Sequence, residues 1–287
     1  MAWVFSTGSL EYNSAPVGTL SSVDLDQSAT LIPLQGNMVA PIMNATGPGK
    51  LSGSCKFTAF DPTFLTTIVG TTLMAPKGAD LALIWYLKNT AGANLSLAMP
   101  NVTISSLKLS AASDKWLESS MGFEAGCAAG TGALLTVGTT ADPATATTSK
   151  WMFSSGEVTI QTHVVGTINS WDLDISWATI PLMSNYRYPV AVANGPIKVS
   201  GSIKFSAFDS NFIETISANP VMTTPSSALT AVFHFHDTGA VGRTITLPNV
   251  TIGGWKAAAG VDKWFETTVT FEAAADPVTP FHLITVA

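Results

Sequence analysis

Apolar and polar residues alternate in short runs along most of the chain. In Val23-Asp24-Leu25-Asp26 the carboxylates fall on one side of an extended strand and the apolar side chains on the other, because successive strand residues point to opposite faces. Trp171-Asp172-Leu173-Asp174 has the same order. The pattern predicts strands with one buried and one solvated face, as in antiparallel sheets.

The pattern is written twice. The run S-G-S-C-K-F-T-A-F-D at 52–61 returns as S-G-S-I-K-F-S-A-F-D at 200–209, a displacement of 200 − 52 = 148 residues. Repeats in solenoids and propellers are only ~20–50 residues long, so a unit of this length predicts a whole domain. We therefore predict a first module over 1–137, a linker over 138–149 and a second module over 150–287 that arose by internal duplication.

Each module contains about seven or eight segments of strand character and one short segment of helical spacing. Asp61 and Asp209 suit the N-caps of helices at 61–69 and 209–217. The strands expected near 95–109 and 245–256 contain a proline and are predicted to be interrupted there. The predicted fold class is all-β with one short helix per module, in two tandem β-sandwich or barrel domains.

Two segments, 33–50 and 181–198, are punctuated by proline and glycine yet rich in apolar residues. They predict long extended hairpins, and an apolar content unusual for a solvated loop predicts that the hairpins dock on a neighbour. The apolar residues expected to make these contacts are Met38, Val39, Ile42, Met43, Tyr186, Tyr188 and Val190.

Composition narrows the functional classes. Only 11% of residues are charged, against ~25% in a typical domain. The net charge is −6, shared equally by the two halves, so the basic footprint of a nucleic-acid-binding protein is missing. The longest apolar run, 81–87, has a strand's length, and the first residues do not fit a signal peptide. Cys55 and Cys127 have no cysteine counterparts 148 residues on and are predicted to be free.

Candidate chemistry is sparse. His234-Phe235-His236 places two imidazoles on one strand face, which could begin a metal site, but no third ligand has a convincing spacing, and an ordinary half-exposed face is favoured. Nucleophile-elbow, phosphate-loop, dinucleotide-binding and zinc-protease motifs are missing from the sequence. We predict no catalytic site, no metal and no cofactor, and hence a protein that is not an enzyme.

At the level of pattern, the chain resembles double-domain bacteriophage tail tube proteins. The likeness is carried by an amphipathic strand, a proline-rich hairpin and a strand leading to a short helix, followed by the segments 201–209, 229–237, 244–254 and 262–273. The module also resembles the type VI secretion tube protein and the tail terminator fold. The resemblance implies a structural virion protein that forms trimeric, pseudo-hexameric rings stacked into a hollow tube for DNA passage.

The same resemblance implies partners and a location. The expected partners are further copies of the chain, a tape measure protein inside the tube, and terminator and distal tail or baseplate proteins. DNA would pass without specific binding, and the protein would reside in the virion tail after assembly in the bacterial cytoplasm. Acidic side chains expected to face the channel are Asp24, Asp26, Asp172, Asp174, Glu118 and Glu266.

Two alternatives stay open from sequence. One is another phage structural part built on the same module, such as a distal tail, terminator or decoration protein, which would not form long tubes. The other is a carbohydrate-binding or adhesive β-sandwich protein, which predicts exposed aromatic residues in a groove common to both modules. The paired tryptophans, Trp116 with Trp264 and Trp3 with Trp151, favour core or interface positions instead.

Overall fold

A computed structural model describes residues 3–35, 43–58, 81–89, 91–113, 115–128, 131–142, 151–152, 157–165, 167–206, 228–237, 242–261, 265–275 and 284–286. These residues form strands and turns, and no helix occurs among them. The first half contains β1 (Trp3–Tyr12), β2 (Ala15–Pro16), β3 (Thr19–Leu34), β4 (Met43–Thr58), β5 (Leu81–Asn89), β6 (Asn94–Ala112), β7 (Glu118–Gly126) and β8 (Thr136–Gly138). The second contains β9 (Trp151–Met152), β10 (Val158–Ile160), β11 (His163–Val164), β12 (Thr167–Leu182), β13 (Ala191–Ser206), β14 (Leu229–Asp237), β15 (Gly242–Ala258), β16 (Glu266–Ala273) and β17 (Thr285–Val286).

The strands of the two halves correspond in position. The bounds of β12, β13 and β14 are those of β3, β4 and β5 displaced by 167 − 19 = 148 residues. The first turn of each half also matches, since Asn13 and its counterpart Gln161 both have positive φ, of 52° and 57°. The strand plan is therefore periodic at the spacing that the sequence repeat has.

Eight long strands form one continuous antiparallel inner sheet in the order β3-β4-β7-β6-β12-β13-β16-β15. The two halves meet inside this sheet, where residues 106–112 of β6 pair with residues 170–176 of β12. We call this pairing the seam. The seam makes the halves neighbours in a single sheet rather than two separate bodies.

A second, outer layer of strands pairs with the N-terminal parts of β6 and β15. In the first half, the first part of β6 pairs with β5 and β8, and β5 pairs with β1. In the second half, the first part of β15 pairs with β14 and β17, and β14 pairs with β9 and β10. Pro100 and Pro248 lie at register shifts between these layers. The predicted interruptions are therefore wrong, because each proline is accommodated in a bulge of one continuous strand.

The apolar core lies between the two layers. Its large buried side chains include Phe57, Phe123, Trp171, Phe205 and Phe233, and the buried residues of both halves form one contiguous cluster. The rings of Trp171 and Phe233 lie 4.9 Å apart. The all-β, sandwich-like character predicted from the alternation is confirmed.

The hairpins are longer and more regular than predicted. β4 begins at Met43, inside the segment 33–50 predicted as a hairpin, and pairing of β3 with β4 reaches Leu34 and Met43. Pro48 and Pro196 fall at register shifts, where a ladder tolerates a residue without an N–H group. The predicted helices, with the caps Asp61 and Asp209, and most of the predicted linker lie outside the described residues.

Candidate assembly surfaces

The inner sheet has one apolar face and one polar face. Its apolar side chains point into the core, as Leu107, Leu109, Leu173 and Ile175 do with 1% exposure or less. The alternate residues of the same strands point the other way and are mostly serine, threonine, aspartate, glutamate and lysine, with small residues such as Gly122 and Ala112 among them. The β12–β13 arm covers one end of this polar face, where the Thr179 hydroxyl donates to the buried Glu124 at 3.0 Å. No described strand packs over the rest of the face, which is an extended hydrophilic surface.

The register gathers charged side chains from all eight strands on the polar face. Asp174 of β12 pairs directly with Lys108 of β6, and Asp172 with Ser110. The carboxylates on this face are Asp24, Asp26, Glu118, Glu124, Asp172, Asp174, Glu266 and Glu272, and the lysines are Lys50, Lys56, Lys108, Lys198, Lys204 and Lys256. Every one of these charges has its counterpart in the other half, with four carboxylates and three lysines in each.

The polar face is nearly balanced in charge rather than uniformly acidic. Lys50 lies 3.0 Å from Glu124, Lys204 lies 3.0 Å from Glu266, and Lys198 lies 3.5 Å from Glu272. The six acidic residues expected to face the channel lie together on this face, with lysines between them, and their position in an assembly stays a prediction. Sequence inspection missed the pair Lys50 and Lys198, whose common displacement of 198 − 50 = 148 residues was the available signal.

Each end of the inner sheet carries the counterpart of one strand of the seam. Residues 22–28 of β3 are the counterparts of 170–176 of β12, and residues from 254 onward in β15 are the counterparts of those from 106 in β6. Among the described residues, no strand pairs in register with the outer edge of either segment. Trp255 is 38% exposed, whereas its counterpart Leu107 is buried inside the seam. The sheet thus ends in two strand edges that are the counterparts of the two strands of the seam.

The loop of the β12–β13 hairpin lies against the first half of the chain. Cys127 donates its backbone N–H to the carbonyl oxygen of Pro189 at 2.7 Å, and Gly49 donates to that of Arg187 at 2.9 Å. Asn101 Nδ2 donates to the carbonyl oxygen of Val190 at 3.1 Å. A groove of about 390 Å³ lies beside these contacts, between the two hairpins.

The predicted hairpin residues divide into three groups. Tyr188 and Val190 contact the other half of the same chain, and the ring of Tyr186 lies over Gly132. Met43 is 63% exposed. Met38, Val39 and Ile42 lie outside the described residues. This hairpin thus contacts the first half of the same chain, and docking between chains stays a prediction.

In the part of the chain that the structure describes, reactive side chains do not cluster into a site. No group of three histidine, cysteine, aspartate or glutamate side chains there is arranged to hold a metal ion. His234 points away from the core and lies 3.3 Å from the Thr159 hydroxyl and 4.0 Å from Glu157. Cys55 and Cys127 are both free and buried, and burial raises the pKa of the Cys55 thiol to about 12. No described helix has the length and apolar character needed to cross a membrane.

Comparison with known proteins adds no assignment. No family model matches the chain, and no curated protein matches it. The polar face, the seam and the docked hairpin are therefore the features of the chain that bear on its function.

Proposed function

We propose that this protein is the subunit of a bacteriophage-type tail tube. In this proposal the chain has no catalytic role. Copies join edge to edge into trimeric, pseudo-hexameric rings, the rings stack, and the polar face lines the channel through which DNA passes. The two halves are then two tube modules produced by duplication, and the partners are a tape measure protein and the proteins at the ends of the tail.

The seam carries the proposal. If the two free edges pair as β6 pairs with β12, Asp24 of one copy lies opposite Ala258 of the next, and Asp26 lies opposite Lys256, because these are the counterparts of Asp172–Ser110 and Asp174–Lys108. The pairing removes both exposed edges, which otherwise invite uncontrolled association. It also covers Trp255, as Leu107 is covered within the chain.

The register of the inner sheet supports closure into a barrel. Following paired residues from Asp174 through Lys108, Ser120 and Lys56 leads to Ser22 in β3. The counterpart of Asp174 is Asp26, so the register advances by 26 − 22 = 4 residues over the four strands of one module. Equal strand number and shear correspond to a strand tilt of about 36°, within the range of closed barrels.

The size of such a barrel suits the proposed role. Three copies of the eight-stranded inner sheet give about 24 strands, which at ~4.8 Å spacing and ~36° tilt close at a backbone diameter of about 45 Å. Side chains narrow this opening but leave room for a DNA duplex. A nearly balanced wall lacks the net positive charge that would hold the phosphate backbone by counterion release. DNA could therefore slide along it.

Assembly of the purified chain tests the proposal. We expect rods or stacked rings by negative-stain microscopy and a matching mass by sedimentation. Proline scanning at Ala257 and Ala258 provides the variants, because adjacent strand residues direct their N–H groups to opposite neighbours. Proline at the residue whose N–H group pairs with β16 should lower the melting temperature. Proline at the residue whose N–H group points to the free edge should preserve the fold and abolish assembly.

The result that would overturn the proposal is equally definite. A wild-type chain that stays monomeric at high concentration would exclude self-assembly. Rods that persist in both proline variants would exclude pairing through this edge. Discrete rings that never lengthen would favour a terminator or distal tail protein instead.

A further inference from the structure

The surface that receives the β12–β13 hairpin in the first half has a counterpart in the second half that no described arm covers. We infer that this counterpart, formed by Asn249, Thr251, Ala274 and Ala275, binds the start of β4 from a second copy of the chain. We call it the second cradle, and the occupied surface the first cradle. The inference rests on the proposed function and adds the side chains that bind the neighbouring arm.

Polar groups and close approach define the first cradle. Thr103 is 2% exposed, and its hydroxyl donates to the carbonyl oxygen of Val192. Asn101 Nδ2 donates both to Val190 and to the carbonyl oxygen of Cys127, at 3.1 and 2.8 Å. A Cβ atom on Gly126 would lie 3.0 Å from the carbonyl oxygen of Pro189, so the arm lies directly on the strand. The arm is thus held through its backbone.

The second cradle is already built. Asn249 Nδ2 donates to the carbonyl oxygen of Ala275 at 2.8 Å, as Asn101 does to that of Cys127. Thr251, the counterpart of Thr103, is exposed. The Glu272 side chain is 60% exposed, whereas that of its counterpart Glu124 is 7% exposed. The two surfaces therefore share their donors and differ in whether an arm covers them.

Strand correspondence identifies the occupant. Val192, whose carbonyl oxygen binds Thr103, has Asn44 of β4 as its counterpart. The seam between copies would place β3, and with it the paired β4, beside β15 of the next copy, as the existing seam places β12 and β13 beside β6. Thr251 then donates to the carbonyl oxygen of Asn44 from a second copy. Continuity with the seam makes that copy the occupant.

A volume exchange in the sequence supports the same pairing. In the first cradle the ring of Tyr188 lies against Gly49, where a Cβ atom would lie 2.5 Å from the ring. The counterpart of Tyr188 is Ala40, and the counterpart of Gly49 is Ile197. The pair of a large arm residue and a small strand residue in the first cradle therefore corresponds to a small arm residue and a large strand residue in the second. Ala40 lies outside the described residues, so the exchange is a property of the sequence alone.

One residue of the second cradle differs in size from its counterpart in the first cradle. Gly126 corresponds to Ala274, whose Cβ atom would meet an arm placed as in the first cradle. The arm of the second copy must therefore sit a few tenths of an ångström farther from the strand. Such a shift remains within the range of hydrogen-bond distances.

Removal of one hydroxyl from each cradle distinguishes binding between two copies from packing within one chain. In Thr251→Val the monomer should keep the wild-type melting temperature, while the critical concentration for assembly should rise about five- to tenfold, because a carbonyl oxygen is buried without its donor. In the matched control Thr103→Val, the same loss occurs inside the chain, so the melting temperature of the monomer should fall. Dilute protein gives the melting temperatures, and light scattering gives the critical concentrations.

The outcomes distinguish this inference from the proposed function. Assembly of Thr251→Val at the wild-type critical concentration would overturn the second cradle and leave the tube proposal intact. Failure of every variant and of the wild type to assemble would overturn both. A lowered melting temperature of monomeric Thr251→Val would show that the hydroxyl acts within the chain, which also contradicts the inference.

Discussion

At the scale of single residues, the repeated Ser-Gly-Ser run is explained by close packing beneath an aromatic ring. Gly53 and Gly201 each lie in a strand between a backbone carbonyl and a phenylalanine ring. A Cβ atom on Gly201 would lie 2.2 Å from the carbonyl oxygen of Asp172 and 2.6 Å from the ring of Phe271. The flanking serines point to the polar face, so the run alternates like the strands around it.

This packing predicts that Gly201→Ala is destabilising. The new methyl group meets backbone atoms that cannot move without disturbing the β12–β13 ladder, so we expect a loss of about 1–3 kcal/mol in the free energy of unfolding. Gly253→Ala is the control, because a Cβ atom there comes no closer than 3.5 Å to Thr270. Urea unfolding of monomeric protein measures both; equal stability of the two variants would contradict the packing argument.

At the scale of elements, alternation and proline content predicted different things with different success. The amphipathic strands around Asp24 and Asp172 were predictable because side-chain period alone fixes their two faces. The continuity of β6 through Pro100 was not, because sequence does not reveal which register a long strand adopts or where a bulge absorbs a proline. The same ambiguity concealed the length of the two hairpins.

The hairpin arms carry an apolar pair that docking within the chain leaves uncovered. Ile180 and Leu182 are 55% and 61% exposed, and their counterparts Ile32 and Leu34 are 50% and 57% exposed. Between the first two, Pro181 pairs with Val192, which is fully buried against the first half. Because the β12–β13 arm already has its lateral neighbour, sideways docking cannot bury Ile180 and Leu182. In the proposed tube they are available for contact along its axis.

We therefore predict that Ile180→Ser with Leu182→Ser shortens the rods without preventing ring formation. Burial of each side chain is worth about 1.5–3 kcal/mol, so loss of both should weaken ring stacking by more than about a hundredfold. Val164→Ser, which alters an exposed valine of the outer layer, is the matched control. Length distributions from electron micrographs give the result, and rods of unchanged length would exclude an axial role for this pair.

At the scale of the whole molecule, the sequence repeat identified most of the charged residues of the polar face but not their arrangement. The repeat marks Asp24 with Asp172 and Lys108 with Lys256 as retained pairs. Only the register shows that Asp174 and Lys108 from different halves are neighbours. The sequence analysis named only the acidic residues of this face, because strand partners separated by many residues cannot be read from local alternation.

The direction in which the polar face points within an assembly can be measured with one added cysteine. Ser54 is exposed on this face beside Asp24, whereas Val164 lies on the outer layer. In a tube lined by the polar face, Ser54→Cys should react with a maleimide attached to a bulky protein only when the chain is monomeric, while Val164→Cys should react in both states. The wild type serves as the blank, because Cys55 and Cys127 are buried and burial raises the pKa of both thiols, which leaves little reactive thiolate at neutral pH. Full labelling of Ser54→Cys in intact rods would place the polar face outside, and the channel assigned to Asp24, Asp26, Asp172 and Asp174 would then be wrong.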